Sequence, residues 1–193
     1  MLFSKALPSK DGDIIITSLP KSGTTWLKAL IFAIVNRNHF SPSQNHPLLI
    51  SNAHDLVPHL EFNLYEIGPF WTHNLGYWGK SKETPNKFLF LKYEELKGNI
   101  KFYLKRIAEF LNCPFDLEEE ESVVVDKIIE LCDFEKMKEL EVNKMGKFMQ
   151  RLDYKDFFRK GEVGDWVNHF CPWMEDKLSK VMEKKFSGSG LSF

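Results

Sequence analysis

The sequence has no strong charge bias and no long apolar run. Its 193 residues include 26 lysines and arginines against 27 aspartates and glutamates. This near-neutral balance argues against a general nucleic-acid partner. No apolar stretch approaches the roughly 18 residues of a membrane-spanning helix, and the first residues are too poor in apolar side chains for a signal peptide. We therefore expect a cytoplasmic protein with neither a nucleic-acid nor a membrane partner.

Cysteine is also scarce, and the histidines form no obvious metal site. The three cysteines are Cys113, Cys132 and Cys171. Their odd number and their lack of metal or redox spacing fit buried thiols in a reducing compartment. Five histidines have no carboxylate or cysteine at ligand spacing, so we interpret them as loop or surface residues and predict no metal. These are His39, His46, His54, His59 and His169.

Internal repeats and linker-like stretches are absent as well. Hydrophobic residues make up 43% and charged residues 27% of the chain, an ordinary globular balance. We therefore expect residues 1–193 to form one domain with its own core. The sequence carries no indication of its oligomeric state.

One stretch near the amino end has the pattern of an anion-binding loop. A β-branched run at Asp13–Thr17 predicts a buried strand, and Gly23–Asn36 predicts a helix. Lys21, Ser22, Thr24 and Thr25 lie around Gly23, where the N–H groups of a helix start favour an anion. The order is not that of a Walker A loop, because the lysine precedes the glycine and no first glycine exists. The spacing alone leaves a phosphate or sulfate loop and an ordinary strand-to-helix turn equally open, and Trp26 offers a flat face for a base or for the core.

The exact residues of this loop are more specific than its strand–loop–helix pattern, because they resemble those of a known family. Residues 20–26, PKSGTTW, resemble the 5′-phosphosulfate loop of the cytosolic sulfotransferases. These enzymes transfer a sulfonyl group from 3′-phosphoadenosine 5′-phosphosulfate to an alcohol, phenol or amine. Residues 91–99, LKYEELKGN, and 159–166, RKGEVGDW, resemble two further motifs in the family's order. Residues 188–193, GSGLSF, are similar to the ending of the plant, flavonol-type branch.

The resemblance implies a fold, a co-substrate and a set of site residues. The implied fold is α/β, with three layers and a nucleotide-kinase-like parallel sheet flanked by helices, here incomplete. Its co-substrate would be 3′-phosphoadenosine 5′-phosphosulfate, used without a metal, and its partner a small-molecule hydroxyl acceptor. Lys21 would stabilise charge in the transition state. The nucleotide-binding residues would be Lys21, Ser22, Gly23, Thr24, Thr25, Trp26, Tyr93, Phe134, Arg159, Lys160 and Gly161.

For two of these assignments, the residues alone are equally compatible with a structural role. Arg159 and Lys160 beside Gly161 can grip a terminal phosphate, but most such pairs belong to ordinary charged loops. Phe134 matches the family aromatic that packs on the adenine, and it is equally suited to a core.

The sequence departs from the family pattern at Tyr65–Glu66. After this point residues 68–78, GPFWTHNLGYW, resemble a helix that lies much later in full-length members. The family's THLP segment, with its catalytic histidine, and its CRNPKD segment do not occur. The chain is therefore identified as an internally deleted and N-terminally shortened member in which the general base is missing. His73 follows a threonine, but its flanks favour a helix-face residue over a catalytic one.

Three readings of function follow. The first is a sulfotransferase of the plant cytosolic type that lacks the segment with the catalytic histidine. The second is a catalytically inactive nucleotide-binding or regulatory remnant. A P-loop NTPase or kinase is a weaker third hypothesis, because the order of lysine and glycine is reversed and the sequence offers no clear Mg²⁺ site.

Several elements are expected beyond the motifs. Lys87–Tyr93 predicts a strand beside Asp13–Thr17, and Ile100–Leu111 predicts an amphipathic helix. Pro172–Phe186 predicts a terminal helix, and Val142–Phe158 a mixed, flexible stretch. Leu56–Tyr65 is either the approach to an acceptor pocket or a surface loop.

Overall fold

A computed structural model of the protein describes residues 14–19, 21–57, 69–121 and 123–192. Most of the regular structure in these ranges is helical. The helices are α1 Thr24–Val35, α2 Ala53–Leu56, α3 Phe70–Glu83, α4 Tyr93–Gly98, α5 Ile100–Phe110, α6 Leu117–Glu121, α7 Val124–Leu131, α8 Phe134–Glu139, α9 Glu141–Met145 and α10 Pro172–Phe186. Short 3₁₀ turns occupy Pro47–Leu49, Tyr154–Phe157 and Asp165–Asn168.

Helix α1 is the centre of the core. It packs against α2, α5 and α7. Four of its apolar side chains are almost wholly shielded from water. These are Ala29, Leu30, Ala33 and Ile34. The predicted helix over Gly23–Asn36 is confirmed to within one residue at each end.

Helix α5 supplies the opposite side of this core. Leu104, Ile107 and Ala108 are buried at helical spacing, and the Asn99 side chain caps the helix by accepting a hydrogen bond from Phe102 N at 3.3 Å. An asparagine in this position satisfies one of the unpaired N–H groups of the first turn. The amphipathic helix predicted over Ile100–Leu111 is confirmed.

The predicted parallel sheet is wrong for the part of the chain that the structure describes. Residues 14–17 form no strand, and Ile14 and Ile15 are each 50% exposed. Residues 88–92 form no strand either, and Tyr93 begins α4 rather than ending a strand. A parallel strand is stable when neighbours pair its backbone and helices cover its faces. Within the described residues neither segment has a paired neighbour, and an apolar run alone does not make a strand.

The sheet within the described ranges is a small antiparallel hairpin. Strand β1, Lys147–Phe148, pairs with β2, Leu152–Asp153, with Lys147 opposite Asp153 and Phe148 opposite Leu152. Together with α9 and the Tyr154–Phe157 turn it gives regular structure to most of Val142–Phe158. The segment therefore has the mixed structure that was predicted for it, and its flexibility stays a prediction.

Helices α3 and α10 pack against each other. The Phe70 and Phe186 rings lie 6.2 Å apart, and Trp78 Nε1 donates to Ser189 O at 2.9 Å. The helix predicted over Pro172–Phe186 is confirmed. His73 lies on α3 with its ring 4.9 Å from that of Tyr77, so the helix placement predicted for it is confirmed.

Among the described helices, none combines the length and apolar character needed to cross a membrane. Residues 1–13, Pro20, residues 58–68, Ser122 and Phe193 lie outside the described residues. The Tyr65–Glu66 junction and most of the Leu56–Tyr65 segment are therefore outside them as well.

Candidate functional site

The loop before α1 has an unusual backbone. Lys21 has φ of 65° and Gly23 has φ of 90°, both in the left-handed region. A residue with a side chain costs about 1–2 kcal/mol there, so the surroundings must hold Lys21 in place. Leu27 N donates to Gly23 O at 2.9 Å, which starts α1 directly after the loop. The first N–H groups of the helix therefore border the loop.

Every side-chain donor of this loop has a protein partner. Ser22 Oγ donates to Leu19 O at 2.6 Å, and the hydroxyls of Thr24 and Ser18 share a hydrogen bond of 2.5 Å. Thr25 Oγ1 lies 2.9 Å from His54 Nε2. These bonds fix the positions of the four hydroxyls.

The Lys21 side chain points toward the 3₁₀ turn at Tyr154–Phe157. Its Nζ donates to the backbone oxygen of Asp156 and lies 5.8 Å from the centre of the Phe157 ring. The side chain is exposed. The ammonium is therefore held by one carbonyl and one aromatic face, with water access on its remaining side.

Tyr93 joins this loop to a second one. Its ring covers Gly23 so closely that a Cβ there would lie 2.8 Å from Tyr93 Cδ2. The Trp26 ring meets it edge-on at 5.7 Å, and Tyr93 Oη donates to Gly161 O at 2.9 Å. Burial, with a smaller contribution from Glu94, raises the pKa of Tyr93. The phenol therefore stays neutral and keeps its proton for this bond.

The second loop turns at Gly161, which has φ of 65°. A Cβ on Gly161 would lie 2.8 Å from Phe134 Cδ2, so the Phe134 ring packs directly on this glycine. Phe134 also contacts Phe158 at 5.8 Å between ring centres. Lys97 Nζ donates to the same Gly161 oxygen as Tyr93. The structure thus places Phe134 at the second loop and Trp26 at the first, with Tyr93 between the loops.

A buried carboxylate holds the two cations of the second loop. Lys160 Nζ lies 2.6 Å from Asp165 Oδ1, and Arg159 approaches Asp165 Oδ2 at 3.5 Å. The Asp165 side chain is only 3% exposed, whereas Arg159 is 62% and Lys160 46% exposed. Hydrogen bonds from Lys160 and then Asn168 lower the pKa of Asp165 to about 2. One carboxylate thus anchors two cations that still face water.

Sequence reasoning missed the role of Asp165 and the burial of two histidines. His54 lies in α2 and is 7% exposed, so the loop or surface placement expected for it is wrong. His46 lies in a loop, as expected, but is only 1% exposed. His46 accepts a hydrogen bond from Leu48 N at the start of a 3₁₀ turn. Asn52 followed three residues later by Asp55 is a helix-start pattern that would have placed His54 in a helix. The burial itself depends on Phe148 and Phe157, which are distant in sequence.

No metal-binding arrangement of histidine, cysteine and acidic side chains occurs among the residues that the structure describes.

Comparison with known proteins identifies the family. The sequence profile of the sulfotransferase domain matches residues 11–67 and 63–190. Cytosolic sulfotransferase 15 of Arabidopsis thaliana is 37% identical over 276 aligned positions, which cover 100% of this chain and 77% of that protein. The chain belongs to the sulfotransferase family. Cytosolic sulfotransferase 8 of the same plant is also 37% identical, with 98% of this chain and 81% of the relative covered.

The fold comparison agrees for this sulfotransferase-family chain. A crystal structure of an Arabidopsis thaliana sulphotransferase superposes with a TM-score of 0.70 at 31% identity, covering 98% of this chain and 81% of that one. The chain therefore has the sulfotransferase fold, although its described residues are mostly helical and contain little sheet.

Proposed function

We propose that this sulfotransferase-family chain binds 3′-phosphoadenosine 5′-phosphosulfate, and the bisphosphate left after transfer, between its two loops. The observation that carries the proposal is the position of Tyr93. Its ring lies on Gly23 of the first loop and its hydroxyl donates to Gly161 O of the second. A nucleotide with phosphates on the 3′ and 5′ positions of its ribose needs two anion-binding loops that are held at a fixed separation.

The first loop would hold the 5′ end of the nucleotide. Thr24 and Thr25 begin α1, where the helix N–H groups and dipole favour an anion. Ser22 and the backbone at Gly23 would complete the contact. Lys21 would release the Asp156 carbonyl and stabilise charge on the leaving phosphate oxygen as it develops. The reach of a lysine side chain and its exposure make this exchange feasible.

The second loop would hold the 3′-phosphate. Arg159 and Lys160 are half or more exposed and share a single buried carboxylate, so the pair keeps a net positive charge. Charge-assisted hydrogen bonds from such a pair suit a terminal phosphate. Trp26 and Phe134, one at each loop, would contact the adenine from its two sides. No metal is needed for these contacts.

We also propose that a segment is missing from one sulfotransferase domain, residues 1–193, near residues 65 and 66. Two observations support this. The family profile matches in two stretches that overlap at 63–67, and the alignment with Cytosolic sulfotransferase 15 takes 276 positions for a chain of 193 residues. The missing part would include the histidine that acts as general base in the THLP segment.

The family reaction assigned to the chain is sulfonyl transfer to the hydroxyl of a small organic acceptor, as in the flavonol-type branch. The alternative is a nucleotide-binding remnant without turnover, which the absence of the THLP histidine favours. Both share the nucleotide site and differ in transfer activity. Because the relatives are named cytosolic, we propose a cytoplasmic location.

A thermal-shift titration tests nucleotide binding. Because a ligand of the native state raises its melting temperature, adenosine 3′,5′-bisphosphate should stabilise the folded protein more than ATP does, in buffer without magnesium. No shift at millimolar bisphosphate would refute the proposal.

The substitution Arg159→Ala distinguishes the roles proposed for the two loops. It should weaken bisphosphate binding about tenfold, the lower end for a charged hydrogen bond, and leave adenosine 5′-monophosphate unaffected. Lys155→Ala is a matched control, since Lys155 is an exposed cation paired with Asp153 outside both loops. Equal losses for both nucleotides in Arg159→Ala would contradict its assignment to the 3′ end.

A further inference from the structure

The hydroxyl of Thr25 has a buried partner outside its own loop. His54, on α2, places Nε2 at 2.9 Å from Thr25 Oγ1. The histidine is 7% exposed, and its ring lies 4.7 Å from that of Phe157 and 5.5 Å from that of Phe148. Two aromatic neighbours and the threonine therefore restrict the orientation of the imidazole.

A chain of buried hydrogen bonds holds His54 from behind. Asn52 Oδ1 accepts from His54 N at 2.8 Å and caps α2. Asn52 Nδ2 donates to Asn143 Oδ1 at 2.7 Å, and Asn143 Nδ2 donates to Met137 O at 2.7 Å. Both asparagines are at most 4% exposed. Buried amides that are hydrogen-bonded in this way favour one arrangement of the elements they join, here α2, α8 and α9.

The direction of the proton between His54 and Thr25 decides what the threonine can offer an anion. A hydroxyl has one proton to donate and two lone pairs to accept with. If His54 Nε2 accepts that proton, Thr25 can turn only lone pairs toward a phosphate. If Nε2 carries a hydrogen and donates, the threonine proton is free to point at the anion.

We infer that His54 is a positioning residue that donates from Nε2 to Thr25 and thereby directs the threonine proton toward the 5′-phosphate. The inference rests on the nucleotide binding proposed above, and it concerns the 5′ end alone. His54 itself does not contact the nucleotide. Its effect should therefore appear only with ligands that carry a 5′-phosphate, and only when Thr25 has its hydroxyl.

Two substitutions of His54 distinguish the contribution of its N–H donor from that of its side-chain volume. His54→Gln keeps an N–H near the Nε2 position, whereas His54→Leu fills similar volume without a donor. Calorimetric titration should show His54→Leu weakening adenosine 5′-monophosphate and the bisphosphate about threefold to tenfold, the range of one hydrogen bond. Adenosine 3′-monophosphate should bind as in wild type. His54→Gln should restore most of the lost affinity.

A double-mutant cycle tests the route through Thr25. If His54 acts by orienting the hydroxyl, His54→Leu should cost no further affinity once Thr25→Val has removed that hydroxyl. His46→Asn is the matched control: this histidine is also buried, but it bonds Leu48 N and meets α1 at Phe32, two turns beyond the loop. The control should leave all three affinities unchanged.

The outcomes distinguish this inference from the proposed function. If wild type binds none of the three nucleotides, the proposed function fails and the inference with it. If wild type binds them, unchanged 5′-monophosphate affinity in His54→Leu, or additive losses with Thr25→Val, overturns the inference alone. Equal losses for the 3′- and 5′-monophosphates would also overturn it. Should His54→Leu not fold, His54→Asn replaces it, since its shorter amide cannot reach Thr25 from the same backbone.

Discussion

Asp165 shows how one residue can position a cation pair without cancelling it. Arg159, Lys160, Asn168 and His169 all approach its two oxygens. The carboxylate is buried while both cations remain partly exposed, so their outward sides are available to a second anion. An aspartate in this position orders the loop and leaves a surplus of positive charge.

Replacing Asp165 by asparagine should reveal this anchor through its pH dependence. The folded-state pKa of about 2 lies below the ordinary value of 3.8, so the carboxylate stabilises the fold above roughly pH 4. That contribution is lost as the pH falls through the folded pKa. Thermal unfolding should show Asp165→Asn melting below wild type at pH 5–7, with the difference shrinking between about pH 4 and pH 2. A difference that is constant down to pH 2 would contradict the ionised anchor.

For individual residues, the sequence indicated candidates for the site but not which of them contact one another. The resemblance singled out Gly23, Tyr93 and Gly161, and their nucleotide roles stay predictions. The packing of Tyr93 on Gly23 joins positions far apart in the chain, which no local pattern encodes. His54 was missed for the same reason, because its partner Thr25 comes from another element.

The second loop depends on two glycines that differ in their surroundings. Gly161 and Gly164 both have positive φ, 65° and 79°. A Cβ on Gly161 would meet the Phe134 ring at 2.8 Å, while nothing lies within 4 Å of one on Gly164. An alanine at either position would therefore have an unfavourable backbone conformation, and only at Gly161 would it also clash with a neighbouring side chain.

Gly161→Ala should thus be more damaging than Gly164→Ala. We expect Gly164→Ala to lose about 1–2 kcal/mol of stability from its backbone conformation alone. Gly161→Ala should lose more, and it should also weaken bisphosphate binding, because its carbonyl is the acceptor for Tyr93. Chemical unfolding and nucleotide titration measure the two effects. Equal stability losses in the two variants would show that the Phe134 ring moves aside without destabilising the protein.

Helix α1 carries both the first loop and the centre of the core, so its packing supports the site. Leu30 is fully buried, whereas Val35 at the end of the same helix is 49% exposed. Leu30→Ala should destabilise the protein by about 2–5 kcal/mol through lost burial and a cavity. Val35→Ala, a control in the same element, should change stability by about 0.5 kcal/mol or less. Urea unfolding distinguishes them, and similar midpoints would argue against α1 as the core helix.

Helices were predictable here and strands were not. An amphipathic pattern such as that of α5 specifies the helix and its buried face together, and the asparagine cap marks its start. A strand needs a partner, and the pattern of residues 14–17 or 88–92 does not say whether one exists. The helices could therefore be predicted from their own residues, whereas a strand depends on its pairing with another segment of the chain.

For the whole molecule, the fold is that of a sulfotransferase, while the histidine that the proposed transfer would need does not occur in a THLP sequence. The THLP histidine does not occur, and His73 lies on α3, which packs against α10. The role proposed for Lys21 concerns charge at the leaving group and does not supply a general base for the acceptor hydroxyl. Nucleotide binding and turnover should therefore be separable in this chain.

We accordingly expect sulfonyl transfer at or near background. A positioned general base typically contributes about 10²–10⁴-fold, and loss of acceptor orientation costs on the order of a further 10²-fold. Radiolabelled phosphosulfate donor with a panel of phenolic and flavonol acceptors measures the rate, beside a full-length plant sulfotransferase. Turnover within about tenfold of that enzyme, far above the loss that a missing base implies, would contradict the prediction. In that event His73→Ala would decide whether this histidine serves as the base: an inactive variant would assign it the role, and an active one would leave the proton to another group.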